Sequence, residues 1–441
     1  MPQLVLATLV QPNGSHLASW LAPGAQDDAG TNIDWYRRIA RIAEDGKLDL
    51  FFIADTPAAR TDHLKAWSRA PVFMNVLEPL TLLSALAGST SHIGLGGTVS
   101  TSFYEPYNLA RQFGALDHIT GGRAAWNVVT SANDYAAKNF GQDKLPPHAE
   151  RYARAREFVD VTFQLWDTWE DDAFITDHET CQNFLPEKQH PVAHEGTHFR
   201  VHGALNLART PQGRPVILQA GASDTGKDFA AETAEVVFGT SATIEGAVEF
   251  YKDLKGRLAK YGRTPDMLKI LAGVTIVVGD SKEEAEAMLA GWQALLHPDV
   301  GVMRLSQDLE TDLSDLPLDE PVPDHRIPTH SNHHQAYFAE IVGLIRQGLT
   351  LREIAMRYNR SKAVICGTPT SIADDMQAWF EAGACDGFML TFPVLPACLE
   401  AFTAKVVPEL RRRGLFRTEY TGTTLRENLG IPRPGNRHVA K

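Results

Sequence analysis

The sequence predicts a (β/α)8 barrel, a TIM barrel, and three observations carry that reading. Eight short β-rich runs are spread along the chain, helical patterns separate most of them, and the runs are almost continuously apolar. Continuous rather than alternating apolar runs mark strands buried on both faces of a parallel sheet. The rival, a doubly wound open sheet, usually opens on a glycine-rich phosphate turn, whereas the segment around the end of the first run is "LVQPNGSH".

In order, "LVLATLV" (4–10) precedes a helix at 34–45, and "LDLFFIAD" (48–55) a helix at 78–90. "HIGLGGTVS" (92–100) precedes a helix at 105–118; "AAWNVVT" (124–130), entered from the turn Gly121-Gly122, precedes one at 150–169. The second half continues with "PVILQAG" (215–221) and 224–232, "AEVVFGT" (234–240) and 243–261, and "LKILAGVTIVVG" (268–279) and 281–296. "CDGFMLTF" (385–392) is flanked by helices at 369–382 and 396–413. Two segments exceed a minimal barrel. Residues 171–214, rich in His, Pro and charge, are expected to form an excursion of short strands or loop. Residues 297–345, Pro-rich, acidic and without helical period until about 338, read as a lid-like segment between the seventh and eighth strands. Residues 1–441 are accordingly read as one barrel domain with two insertions.

Composition narrows the function. The net charge is −12 and no basic stripe offsets it, which argues against a nucleic-acid partner. The four cysteines, Cys181, Cys366, Cys385 and Cys398, are scattered without a CxxC, as in a reduced cytoplasmic protein. No apolar run reaches the roughly 18–20 residues of a membrane span, and the N-terminus lacks a basic leader region. A cytoplasmic protein without membrane or nucleic-acid partners is expected.

In a barrel, chemistry collects where strands run out into the following loops. The first end offers Gln11, Asn13 and His16, with Trp20 beyond; the second Asp55; the third Thr98 and Ser100; the fourth Asn127, Thr130 and Ser131. Asn127 stands out, because a buried amide needs partners for both its donor and its acceptor. Singly, Asp55 also reads as a turn cap, His16 as a surface loop residue and the 98–102 run as plain strand. The fifth end, "QAGASDTGKD", is either an anion site built on backbone N–H groups or simply a good helix start with Ser223 or Asp224 as N-cap. His148 and Tyr152, four apart, share a face if the helix already includes His148; otherwise Glu150 marks an ordinary helix start. The cluster His325, His330, His333 and His334 has no standard metal spacing and is expected to be a solvated loop, so no metal is assigned.

Several long segments together resemble one family. They include "LDLFFIADT", "EPLTLLSALAGSTSHIGLGGTVSTSFYEPYNLAR", "LDHITGGRAAWNVVTS", "HAERYARAREF", "QGRPVILQAGAS" and "VVPELRRRGLFRTEYTGTTLRENLG". The chain is similar to bacterial luciferase-like flavin-dependent monooxygenases, in the branch of nitrilotriacetate monooxygenase component A, dibenzothiophene-sulfone monooxygenase and long-chain alkane monooxygenase. The resemblance implies a TIM-barrel oxygenase that takes reduced FMN from a separate NAD(P)H:FMN reductase. With dioxygen it would oxygenate a small organic substrate, with C–N or C–S cleavage as one outcome. It implies that Asp55 and Asn127 hydrogen-bond the isoalloxazine ring, with Thr98 and Ser100 near its other edge. His148 and Tyr152 would lie against the flavin, Ala222 and Ser223 would hold its phosphate, and His16 and Trp20 would border the substrate. His148 and His16 are the candidates for proton transfer. A homodimer or homotetramer is expected. The alternatives are a deazaflavin-dependent oxidoreductase of the same superfamily and a non-catalytic flavin-binding protein.

The chain departs from the family pattern on the expected substrate side. Leu21 follows Trp20 where the family commonly has Arg, "YNRSKAVICGTP" lacks a histidine, Met389 stands where the family has Asn, and 325–334 is His-rich instead of Gly/Ser-rich. A polycarboxylate substrate would want several Arg or Lys, so the missing Arg after Trp20 counts against one.

Overall fold

The computed structural model describes residues 3–328, 335–358 and 363–439. Eight parallel strands close into a barrel: β1 (Val5–Leu9), β2 (Leu50–Ile53), β3 (Gly94–Ser100), β4 (Ala124–Val129), β5 (Val216–Gln219), β6 (Val236–Gly239), β7 (Lys269–Val278) and β8 (Gly387–Thr391). Closure is made by β8, whose Gly387 is in register with Val5 of β1 and with Leu271 of β7. All eight sequence-read strands are there. A ninth, Val364–Gly367, was not read as one; it pairs with the far half of β7, from Thr275 to Val278, outside the closed ring.

The period of two explains the placement of side chains. Along β4, Trp126 faces outward, packing on Phe113, Phe158 and Trp166 of the surrounding helices at ring distances of 5.9, 5.8 and 6.4 Å. Ala125 belongs to the inner core with Val5, Ala7, Leu50, Phe52 and Leu218. Asn127 shares Ala125's parity and therefore faces the lumen. On β3, Gly96 leaves room for that packing, since a Cβ there would lie 3.1 Å from the ends of both Leu218 and Leu50.

The N-terminal end of the barrel is closed by the C-terminal segment. Leu425, Leu429 and Ile431 join the inner core, and Arg426 reaches Glu235, just ahead of β6, at 2.6 and 3.0 Å.

The first insertion contains two antiparallel hairpins, Phe174–Asp177 with Gln182–Phe184 and Val192–Glu195 with Arg200–Gly203. The second differs from its sequence reading. It already carries a helix at Pro298–Leu309, started by Pro298 and capped by the His297 ring, which accepts from the Asp299 N–H. Val302, Leu305 and Leu309 of this helix share a separate core with Ile341, Ile345, Leu351 and Ile354. The prolines and acids farther along hid a short apolar stripe. His325 lies in the turn Asp324–Arg326, while His330, His333 and His334, like residues 359–362 of "YNRSKAVICGTP", lie outside the described residues. Among the described residues no group of three or more His, Cys, Asp or Glu is placed to hold a metal, and no helix is long and apolar enough to cross a membrane.

Candidate active site

At the C-terminal ends of β2 to β5 lies a cavity of about 290 Å3 whose walls include Asp55, Thr98, Ser100, Tyr104, Ser131 and Tyr152. That is close to the lower end of small-molecule sites, roughly 300–1,000 Å3.

Asp55 lies two residues past the buried end of β2 and is half-buried itself. Burial, and next the nearby carboxylate of Glu78, push its pKa up to about 6. A carboxyl displaced this way inside a cleft is a functional-site signal. Asn127 donates its amide N–H to Thr98 Oγ1 at 2.9 Å, and Thr98 holds the matching position on β3. The Asn127 Oδ1 is buried and has no hydrogen-bond partner. Such an acceptor costs free energy unless a ligand supplies a donor. Ser100 and Ser131 share a hydroxyl hydrogen bond of 2.7 Å. Ser131 adopts φ +53°, a left-handed conformation uncommon for serine, and its carbonyl is held by Arg151.

The helix behind begins at His148, so His148 and Tyr152 do share a face, with rings 4.6 Å apart. Tyr152 lines the cavity and packs edge-on against Phe229, whereas His148 is exposed at the rim. The fifth strand end passes very close to the helix Asp224–Thr233: a Cβ on Gly221 would lie 3.0 Å from Gly226 Cα, and one on Gly226 3.1 Å from the Tyr152 hydroxyl. Ser223 is the N-cap; its Oγ accepts from the Gly226 N–H at 3.1 Å. Its hydroxyl hydrogen remains for an outward acceptor. Ala222 and Ser223 are exposed beside Gly221 at the cavity edge. The capping and the anion-site readings are thus compatible.

His16 and Trp20 lie elsewhere on the mouth. His16 borders two further cavities, of about 260 and 190 Å3, and Trp20 lines only the smaller. Trp20 is 39% exposed and donates to the Arg69 carbonyl at 3.2 Å. The His16 ring has one tautomer that satisfies its neighbours. Nδ1 accepts from the Ala18 N–H at 3.1 Å, and Gln293 directs its amide N–H at the Met356 carbonyl, so its Oε1 accepts from His16 Nε2–H at 3.0 Å. Burial, opposed by the Gln293 bond and aided by the positive charge of Arg304, lowers the His16 pKa and favours this neutral form.

Of the sequence-selected residues, Asp55, Thr98, Ser100 and Tyr152 line one cavity, Asn127 reaches it through Thr98, and Ala222, Ser223 and His148 stand at its edge. His16 does not join them. Tyr104, Arg151, Gln293 and Arg304 were missed. Tyr104 carried a signal, lying four residues past β3, whereas the other three come from helices and acquire their place only through packing.

A family profile described as luciferase-like monooxygenase matches residues 15–386. The chain belongs to the luciferase-like monooxygenase family. It is 46% identical to nitrilotriacetate monooxygenase component A of Aminobacter aminovorans, over 100% of this chain and 98% of that one. It is 44% identical to N-acetyl-S-(2-succino)cysteine monooxygenase of Bacillus subtilis (strain 168), over 99% and 98%. The crystal structure of a long-chain alkane monooxygenase superposes with a TM-score of 0.84 at 34% identity, covering 97% of this chain and 96% of that chain. As a luciferase-like monooxygenase, the protein is the oxygenase component of a two-component flavin-dependent system and uses reduced FMN with dioxygen. The unpaired Asn127 Oδ1 and the close-packed Gly221–Gly226 edge fit a ligand with ring N–H donors and a phosphate.

Proposed function

We propose that the Asp55–Tyr152 cavity holds the flavin and that the substrate is a small amine or thioether oxygenated next to its nitrogen or sulfur, with C–N or C–S cleavage. The observation that carries the cofactor assignment is the buried, unpartnered Asn127 Oδ1, on a side chain bonded to the cavity-lining Thr98. Reduced FMN, when bound, supplies the electrons that activate dioxygen, so that one oxygen atom enters the substrate and the other leaves as water.

The residues of this chain have distinct tasks. Asn127 would accept a ring N–H, and Thr98 holds its amide in the orientation that leaves Oδ1 unpartnered. Asp55, with a pKa of about 6, binds the ring as a hydrogen-bonding partner able to hold or release a proton near neutral pH. Ser131, fixed by Ser100 and Arg151, shapes the wall opposite. Tyr152 and His148, whose rings are 4.6 Å apart, would hold the ribityl chain, and the Ala222–Ser223 edge would receive the phosphate. His148, exposed at the rim, is the proton-transfer candidate on this side, and neutral His16 borders the substrate space. The β7–β8 segment excludes water from the mouth.

The substrate assignment is supported by two relatives, at 46% and 44% identity, whose names specify an amine and a thioether, each bearing carboxylates. The reductase partner is an NAD(P)H:FMN reductase that delivers flavin by diffusion or transient contact. The setting is the cytoplasm, and the assembly a homodimer or homotetramer.

The test is oxygen consumption by the purified protein with FMN, NADH and an added flavin reductase, screened over amines, thioethers and sulfones. Substrate-dependent consumption with one 18O atom from 18O2 in the product is expected, and none with NADH alone. Labelled product from sulfones alone, or from none of these classes, would overturn the amine or thioether assignment.

A further inference from the structure

The cavity of about 260 Å3 beside His16 differs in character from the flavin cavity. Its walls come from the β1 loop (Ser15, His16), the inner face of β7 and β8 (Thr275, Thr391) and the β7–β8 segment (Gln293, Arg304, Tyr358). Among the described residues lining it there is no Asp or Glu, and the one side chain with a permanent charge is Arg304. In a chain of net charge −12 a wall of that composition is selective. Arg304 projects from the helix Pro298–Leu309, and its charge is felt at His16, where it helps to keep the imidazole neutral.

We propose that this cavity is the substrate's carboxylate subsite and that Arg304 is the residue that selects for it. A planar guanidinium matches a carboxylate with two parallel N–H bonds, and its five donors allow one intraprotein partner alongside a ligand. Asp308, one turn on, is buried and already takes the Tyr358 hydroxyl at 2.6 Å, which anchors that side of the cavity. His16 cannot supply the charge, since both its nitrogens are engaged. The cation absent at position 21, where Leu21 is 44% exposed, is thereby provided from the helix Pro298–Leu309.

The proposal rests on the flavin occupying the Asp55–Tyr152 cavity, but its test does not require turnover. Thiodiacetate and iminodiacetate, a thioether and an amine with two carboxylates each, are titrated into the flavin-free protein by calorimetry beside their dimethyl esters. The diacids are expected to bind at least about tenfold tighter than the diesters. Arg304→Gln should weaken diacid binding at least about tenfold and leave diester binding alone, and Arg304→Lys should recover part of the loss. Reduced-FMN affinity equal to that of the native protein verifies that each variant is folded. Diacids that do not bind, that bind no better than diesters, or that bind Arg304→Gln as well as the native protein would overturn the subsite. Arg304-dependent diacid binding without any oxygenated product from these amines and thioethers would sink the proposed substrate class and leave the subsite standing.

Discussion

At the N-terminal end of the barrel Glu235 meets Arg426 at 2.6 Å and Asp49 meets Arg417 at 2.6 Å, both pairs buried. At the C-terminal end Asp55 has another carboxylate, Glu78, for a neighbour, and Asn127 keeps a buried oxygen unpaired. Both ends bury polar groups and burial raises Asp49, like Asp55, to about 6, but Asp49 and Glu235 each face an arginine where Asp55 faces an acid. The closed end uses charge to fix the C-terminal segment as a plug. The open end retains unfavourable electrostatics that a ligand's donors relieve.

The contrast can be broken most forcefully at the closed end. Arg426→Ala leaves buried Glu235 with only Arg214, 3.8 Å away, and is expected to cost about 3 kcal/mol, read from the urea midpoint. The same kind of truncation at the mouth should act on binding. Asn127→Ala is expected to weaken reduced-FMN affinity about tenfold, by fluorescence titration, with stability changed by less than about 1 kcal/mol because an unpaired oxygen leaves with the side chain. Global unfolding of Asn127→Ala would make the amide structural.

Asp55 sharpens the comparison through its pH dependence. Its folded pKa, about 6, lies above the usual 3.8, so the fold favours the protonated acid. The resulting penalty is absent below about pH 4, grows as the pH rises towards 6 and is full above it. Flavin-free Asp55→Asn should therefore be more stable than the native protein at pH 8, by about 1 kcal/mol after solvent screening, and equal to it near pH 4. The smallest effect is expected at the rim. Ser223→Ala should weaken FMN several-fold while leaving riboflavin affinity unchanged, and should cost about 1 kcal/mol of stability through the lost cap.

Much of this arrangement was legible in the chain. Apolar runs marked all eight barrel strands, and Asn127 stood out in one of them as a buried amide needing partners. Those signals are local, because a strand's period of two is written in neighbouring residues. The helix Pro298–Leu309 was hidden because its apolar stripe is short and proline and acidic residues follow it, and the strand Val364–Gly367 because its pairing exists only where β7 outruns the barrel.

By itself the sequence determined the barrel and the residues at its strand ends, Asn127 among them. Tertiary structure alone decided that His16 belongs to a different cavity from Asp55, that its tautomer depends on Gln293 277 residues away, and that Arg304 stands beside it. The reason is physical: a strand's facing follows from local backbone geometry, whereas a cavity wall and the charge within it exist only after distant helices have packed.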